Sequence, residues 1–135
     1  MGSSRDNIAS NNPLTSVKAL ESVLGFSFKD PSLLRLALVH RSYCNENGLD
    51  PSESYERLEF LGDAVLELAV SAELYRRLPQ ADEDELTKTR SSLVRRETLA
   101  KIARRIDLGK YLLVGKGVDA STIGPLMGVV VLLNR

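Results

Sequence analysis

Four carboxylates crowd the segment YERLEFLGDAVLE at residues 55–67: Glu56, Glu59, Asp63 and Glu67. Their spacing keeps returning to one side of an α-helix, so the four fall within about 80° of arc. Leu58, Phe60, Leu61, Ala64, Val65 and Leu66 fill most of the remaining circumference, the pattern of a helix surrounded by protein. Like charges at i,i+3 and i,i+4 each destabilise even an exposed helix by about 0.2–0.5 kcal/mol, and burial raises that penalty. Three arrangements would compensate them. Hard carboxylate oxygens suit a divalent metal such as Mg²⁺ or Mn²⁺. A general acid/base pair of the glycosidase type is a second, although such pairs usually come from separate elements. Arginines from neighbouring helices are the third. Gly62 beside Asp63 costs about 1 kcal/mol relative to Ala inside a helix, which points to close approach of another backbone or helix.

The elements that must position this stripe are helical throughout. Leu14, Val17, Leu20, Val23 and Leu24 mark a short amphipathic helix that stops at Gly25. In KDPSLLRLALVHRSY, Asp30 is an N-cap and Pro31 occupies the first helical position. A polar loop from about Asn45 to Glu53 leads to Ser52 or Ser54, the expected cap of the carboxylate helix, which runs to about Arg77 with Pro79 beyond. Asp82 or a neighbouring acid opens another helix through Leu86, Leu93 and Val94. A bend near Arg95–Glu97 then precedes a last helix, which ends by Gly109. KYLLVGKG is a turn or a very short extended piece, so the fold class is all-α.

A chain of 135 residues with one cysteine is at most one ordinary domain, without an internal disulfide. The longest apolar run, Leu126–Leu133, is too short to span a bilayer. Residues 1–13 have no apolar centre and are expected to be a disordered leader rather than a signal peptide. A soluble cytoplasmic protein without membrane attachment is expected. Net charge is zero yet segregated: residues 46–85 carry twelve acids against three arginines, and residues 86–116 carry nine basic residues against Glu97 and Asp107. Such a division suits a protein that holds cations on one surface and a polyanion on another, and it equally suits helices that pair with each other or solvate their own charges.

ERLEFLGDAVL at 56–66 resembles the signature of the ribonuclease III family. LLRLALVHRSY (33–43), ELTKTRSSLVRRETLAKIAR (85–104) and LGKYLLVGKG (108–117) are similar to the flanking blocks of the same catalytic domain, in the same order. The resemblance covers about residues 16–118 and implies a ribonuclease III-like helical endonuclease domain over 14–118. By that resemblance the domain is a Mg²⁺-dependent endoribonuclease, with Mn²⁺ as a substitute, that hydrolyses double-stranded RNA as a homodimer. Glu59 and Asp63 match the metal-binding carboxylates, Glu56 the additional acid at the start of the motif, and Phe60 the aromatic that packs across the dimer. Glu83 aligns with an accessory acid, with Glu85 as the alternative. Lys88, Arg90, Arg95 and Arg96 are the implied phosphate contacts. His40, the sole histidine, falls at a helix end where imidazole can cap carbonyls or contact the signature helix; a structural role is expected.

The family completes its metal site with a second Asp-x-x-Glu pair on a helix after the GKG turn. Here the chain reads VDASTIGPLMGVVVLLNR, with Asp119 its single acid and with Pro125 and Gly128 disfavouring a helix. Residues 119–135 are thus expected to be a truncated or divergent tail. The expected consequence is an endoribonuclease domain weakened or inactivated by the missing pair. The alternatives are a catalytically dead module that dimerises or binds RNA, and a plain helical interaction domain whose acids arginines neutralise.

Overall fold

A computed structural model describes residues 13–25 and 27–118. The expected leader, but for Pro13, and the expected tail lie outside these residues. Six α-helices follow in order: α1 (Pro13–Leu24), α2 (Pro31–Ala37), α3 (Arg41–Glu46), α4 (Glu56–Arg77), α5 (Glu83–Val94) and α6 (Arg96–Arg105). Short 3₁₀ turns lie at Pro51–Glu53 and Leu108–Tyr111. The fold is all-α; among the described residues the sole β feature is an isolated parallel bridge between Val39 and Leu113. No described helix is long and apolar enough to cross a membrane.

Local chemistry accounts for most of the boundaries. Gly25 adopts φ +81° and returns its N–H to Glu21 O at 2.9 Å, a left-handed cap that closes α1. Asp30 accepts the Ser32 N–H at 3.0 Å and Pro31 opens α2. Asp82 and Glu85 form a reciprocal capping box at the start of α5. Arg95, with ψ 153°, breaks α5 from α6 at the expected bend.

Two boundaries differ from expectation. The helix opened by Pro31 stops at Ala37, because the Leu38–His40 backbone is drawn into the bridge: Leu113 N–H donates to Leu38 O at 2.8 Å and His40 N–H to Leu113 O at 2.9 Å. A new helix, α3, then starts at Arg41. His40 caps its N-terminus by accepting the Ser42 N–H on Nδ1, and does not cap carbonyls. Neither Ser52 nor Ser54 caps α4, which starts after Tyr55 without a side-chain cap. Asp50 instead caps the 3₁₀ turn through a box with Glu53, and the Ser54 hydroxyl donates to Pro51 O at 2.7 Å.

The core gathers Leu20 of α1, Leu34 and Ala37 of α2, and Leu108 and Tyr111 of the last turn, with Leu58 packing against it from the start of α4. Beyond Leu58, α4 lies chiefly along α5. A helix of 22 residues with one long neighbour cannot be covered all round, so the expected burial of α4 does not hold within a single chain. Gly62 is its one buried residue, whereas Phe60 is 82% exposed, Leu68 68% and Tyr75 79%.

Candidate metal and active site

Tyr55 anchors the start of α4. Its N–H donates to Val39 O at 2.9 Å, and its ring lies tilted against the His40 ring with centroids 5.8 Å apart. Burial, reinforced by the Glu59 and Glu56 charges and opposed by Arg96, pushes the phenol up to about 12. The hydroxyl is therefore neutral at physiological pH. Glu59 donates its N–H to Tyr55 O at 2.8 Å, the first turn of the helix. Desolvation, then repulsion from Asp63 and Glu56, raises the Glu59 carboxyl above its ordinary value, while Arg96 and His40 act the other way. Although Glu59 is exposed as a residue, desolvation and the two neighbouring carboxylates outweigh Arg96 and His40 at its carboxyl.

Neighbouring arginines neutralise the stripe at its two ends. Arg41 of α3 stands 3.6 Å from Glu56. Arg90 of α5 stands 3.7 Å from Glu67 and donates to Ser71 Oγ at 3.0 Å. Between these ends neither Glu59 nor Asp63 forms an ion pair among the described residues. The arginine reading thus holds for Glu56 and Glu67, and the centre of the stripe keeps its excess charge.

The other residues singled out by the sequence separate. Arg96 opens α6 near enough to act electrostatically on both Glu59 and Tyr55. Arg95 pairs with Glu97 at 3.6 Å, and Lys88 is exposed on α5. Glu83 is the exposed first residue of α5, while the Glu85 carboxylate accepts the Asp82 N–H at 3.1 Å and is occupied in the cap. Phe60 projects from α4 beside the stripe. Arg41 and Tyr55 escaped sequence reasoning. Their signals were the arginine beside the lone histidine and the aromatic immediately before the first acid.

Glu59 and Asp63 fit a hard divalent cation as a pair of oxygen donors one helical turn apart, close enough to repel each other. They do not make a complete site. No group of three or more His, Cys, Asp or Glu side chains able to hold a metal occurs among the described residues.

The fold is that of a helical nuclease domain. It is similar to a solved structure of the nuclease domain of ribonuclease III from Campylobacter jejuni, described for structural flexibility in the region involved in dimer formation. The TM-score is 0.73 at 34% identity, over 85% of this chain and 81% of that one. A second structure of that nuclease domain matches with TM-score 0.68, also at 34% identity, over 86% and 78% of the two chains. The ribonuclease-III-like family profile matches residues 30–127, most of the sequence and ten residues past the last motif block. The chain belongs to the ribonuclease-III-like family. Ribonuclease 3 of Dehalococcoides mccartyi strain CBDB1 is 52% identical over 102 residues, covering 76% of this chain and 43% of the relative. Ribonuclease 3 of Oleidesulfovibrio alaskensis is 50% identical over 101 residues, covering 75% and 44%. The chain therefore spans less than half the length of these curated relatives.

Proposed function

We propose that this chain is the nuclease domain of a cytoplasmic, metal-dependent endoribonuclease that cleaves double-stranded RNA as a homodimer. The observation that carries the reading is the Glu59–Asp63 pair, two carboxylates one helical turn apart without an ion-pair partner among the described residues, on a helix whose apolar face is exposed at Phe60. Glu59 and Asp63 would hold Mg²⁺, or Mn²⁺ in its place, with Glu56 as the neighbouring acid. Since hard cations take about six oxygen ligands, further ligands must come from outside the described residues, from substrate or from water. A bound divalent cation supplies positive charge to the phosphorane-like transition state of phosphodiester hydrolysis. Glu83 is available as an accessory acid, because Glu85 is held in the α5 cap. Lys88, Arg95 and Arg96 would contact RNA phosphates, and Arg90 would do so at the expense of its pairing with Glu67.

A second reading, a module that dimerises or binds RNA without cleaving it, is favoured by the absence of a third metal-ligating side chain among the described residues. Incubating the protein with Mg²⁺ and a labelled RNA duplex separates the two. Cleavage that Asp63→Asn abolishes supports the nuclease; duplex binding without any metal-dependent product assigns the second reading.

A further inference from the structure

Helix α6 presents a second cluster of like charge, opposite in sign to that of α4. Lys101, Arg104 and Arg105, with Thr98 and Ile102, line an open groove with a volume of about 540 Å³. All three cations are exposed, and none pairs with a carboxylate among the described residues. By contrast Arg76, Arg77, Arg90 and Arg95 all have acidic partners.

Lys101 and Arg105 lie at i,i+4 and Lys101 and Arg104 at i,i+3, spacings at which like charges repel. Arg104 and Arg105 gain from the negative end of the helix dipole. Lys101 stands farther from that end, and the dipole does nothing to relieve the repulsion between side chains. Ile102, 39% exposed, adds apolar surface to the lining beside the cations. Lys101, Arg104 and Arg105 follow Arg96 by five, eight and nine positions, which sets them about 140°, 80° and 180° round the helix from it and about 7 to 13 Å along its axis. The groove is therefore distinct from the neighbourhood of Glu59, which Arg96 borders.

We infer that Lys101, Arg104 and Arg105 form a separate backbone-binding groove for nucleic-acid phosphates away from the scissile bond. Three cations of one sign, with no described carboxylate to satisfy them, match the regular negative charge of a phosphodiester backbone. They would add affinity without reading sequence. That the polyanion is RNA rests on the function proposed above.

The test is binding of a labelled RNA duplex of arbitrary sequence in EDTA, by fluorescence anisotropy across a salt series. The proteins compared are the parent, K101Q/R104Q/R105Q and Lys29→Gln, each checked for an unchanged far-ultraviolet circular dichroism spectrum. The triple variant should bind at least about tenfold more weakly at low salt, with a plot of log affinity against log salt shallower by about 2 to 3. Lys29→Gln, which removes an exposed cation from the α1–α2 connection, should keep the parent's slope. Parent-like affinity and slope in the triple variant overturn the groove, as does loss of polyglutamate binding with duplex binding intact, which assigns it to an acidic peptide. If the groove variant weakens binding but the parent never cleaves with Mg²⁺, the nuclease reading fails and the groove stands. If the parent binds no duplex, both fall.

Discussion

Arg90 of α5 spans two turns of α4, with Nε 3.7 Å from a Glu67 carboxylate oxygen and Nη1 donating to Ser71 Oγ at 3.0 Å. One planar fork thereby ties together the two longest neighbouring helices and neutralises one end of the acidic stripe. Because both partners remain partly exposed, the ion pair is screened. Arg90→Ala should lower unfolding stability by about 1 kcal/mol, and Arg90→Lys, which keeps the charge but loses the fork, should recover less than half of that. Urea unfolding of the three proteins checks it. An Arg90→Ala midpoint equal to the parent's would show that the contact contributes nothing to α4–α5 packing.

Phe60 is 82% exposed, so its ring contributes almost nothing to the folding of one chain. On the proposed homodimer, the same ring is covered by the partner. Phe60→Asp should therefore leave monomer stability within about 0.5 kcal/mol of the parent. It should also shift the protein to monomer in sedimentation equilibrium and remove the concentration dependence of Tm. A variant that dimerises like the parent would place the interface elsewhere.

Glu59 sets a pH dependence of definite sign. Its carboxyl is raised above the ordinary 4.5 by desolvation, then by Asp63 and Glu56, so the folded chain holds that proton more tightly than the unfolded one. Stability then falls as pH rises from the ordinary value through the raised one, and above that window the ionised group is a standing penalty. Glu59→Gln should match the parent in acid and exceed it in Tm at neutral pH. Saturating Mg²⁺ should raise the parent's Tm and leave the variant's unchanged. A lower neutral Tm for Glu59→Gln would contradict the first expectation, and an equal Mg²⁺ response in the two proteins the second. Tyr55, pushed up to about 12 from 10, adds a loss of stability across that alkaline span that Tyr55→Phe should abolish.

How much of this was visible in the sequence depends on whether a local pattern or a distant contact decided the outcome. Asp30–Pro31, Gly25 and Asp82 act on atoms within a few residues, and their helix boundaries fall where the sequence puts them. The break at Leu38–His40 depends on Leu113, more than seventy residues away, and no periodicity in LLRLALVHRSY announces it. The carboxylate stripe was legible because helical spacing alone aligns it. Its environment was not: apolar residues all round α4 signalled burial, but one chain covers only the face toward α5 and the core. The pairings of Arg41 with Glu56 and Arg90 with Glu67 likewise follow from helix packing that charge counts cannot resolve.

His40 holds a cap that Asn can imitate. The Ser42 N–H donates to Nδ1 at 3.1 Å, leaving that nitrogen without a proton, and Ser42 Oγ lies 2.7 Å from it. His40→Ala should cost about 1 kcal/mol through the lost cap of α3, whereas His40→Asn, with an amide oxygen able to accept the same N–H, should restore most of it. Equal losses in chemical denaturation would mean that the ring packing on Tyr55 outweighs the cap.

Gly115 and Gly117 flank Lys116 in the GKG turn but differ in what surrounds them. Gly115 donates its N–H to Ser42 Oγ at 2.7 Å, and the next amide, of Lys116, donates to the Glu46 carboxylate at 3.0 Å. A Cβ on Gly115 would stand 3.0 Å from Ser42 Cβ, 3.1 Å from Glu46 Oε2 and 3.2 Å from Ser42 O, two of them atoms fixed on α3. Neither glycine has a φ in the left-handed region, so the obstacle at Gly115 is steric rather than conformational. Gly115→Ala should therefore destabilise by about 1–3 kcal/mol as α3 and the turn are pushed apart. At Gly117 nothing lies within 4 Å of the added carbon, and Gly117→Ala should be neutral or gain up to about 1 kcal/mol by restricting the unfolded chain. Thermal and urea unfolding of the two variants side by side measure the difference. Equal stabilities would mean that the turn is not clamped against Ser42 and Glu46 in solution.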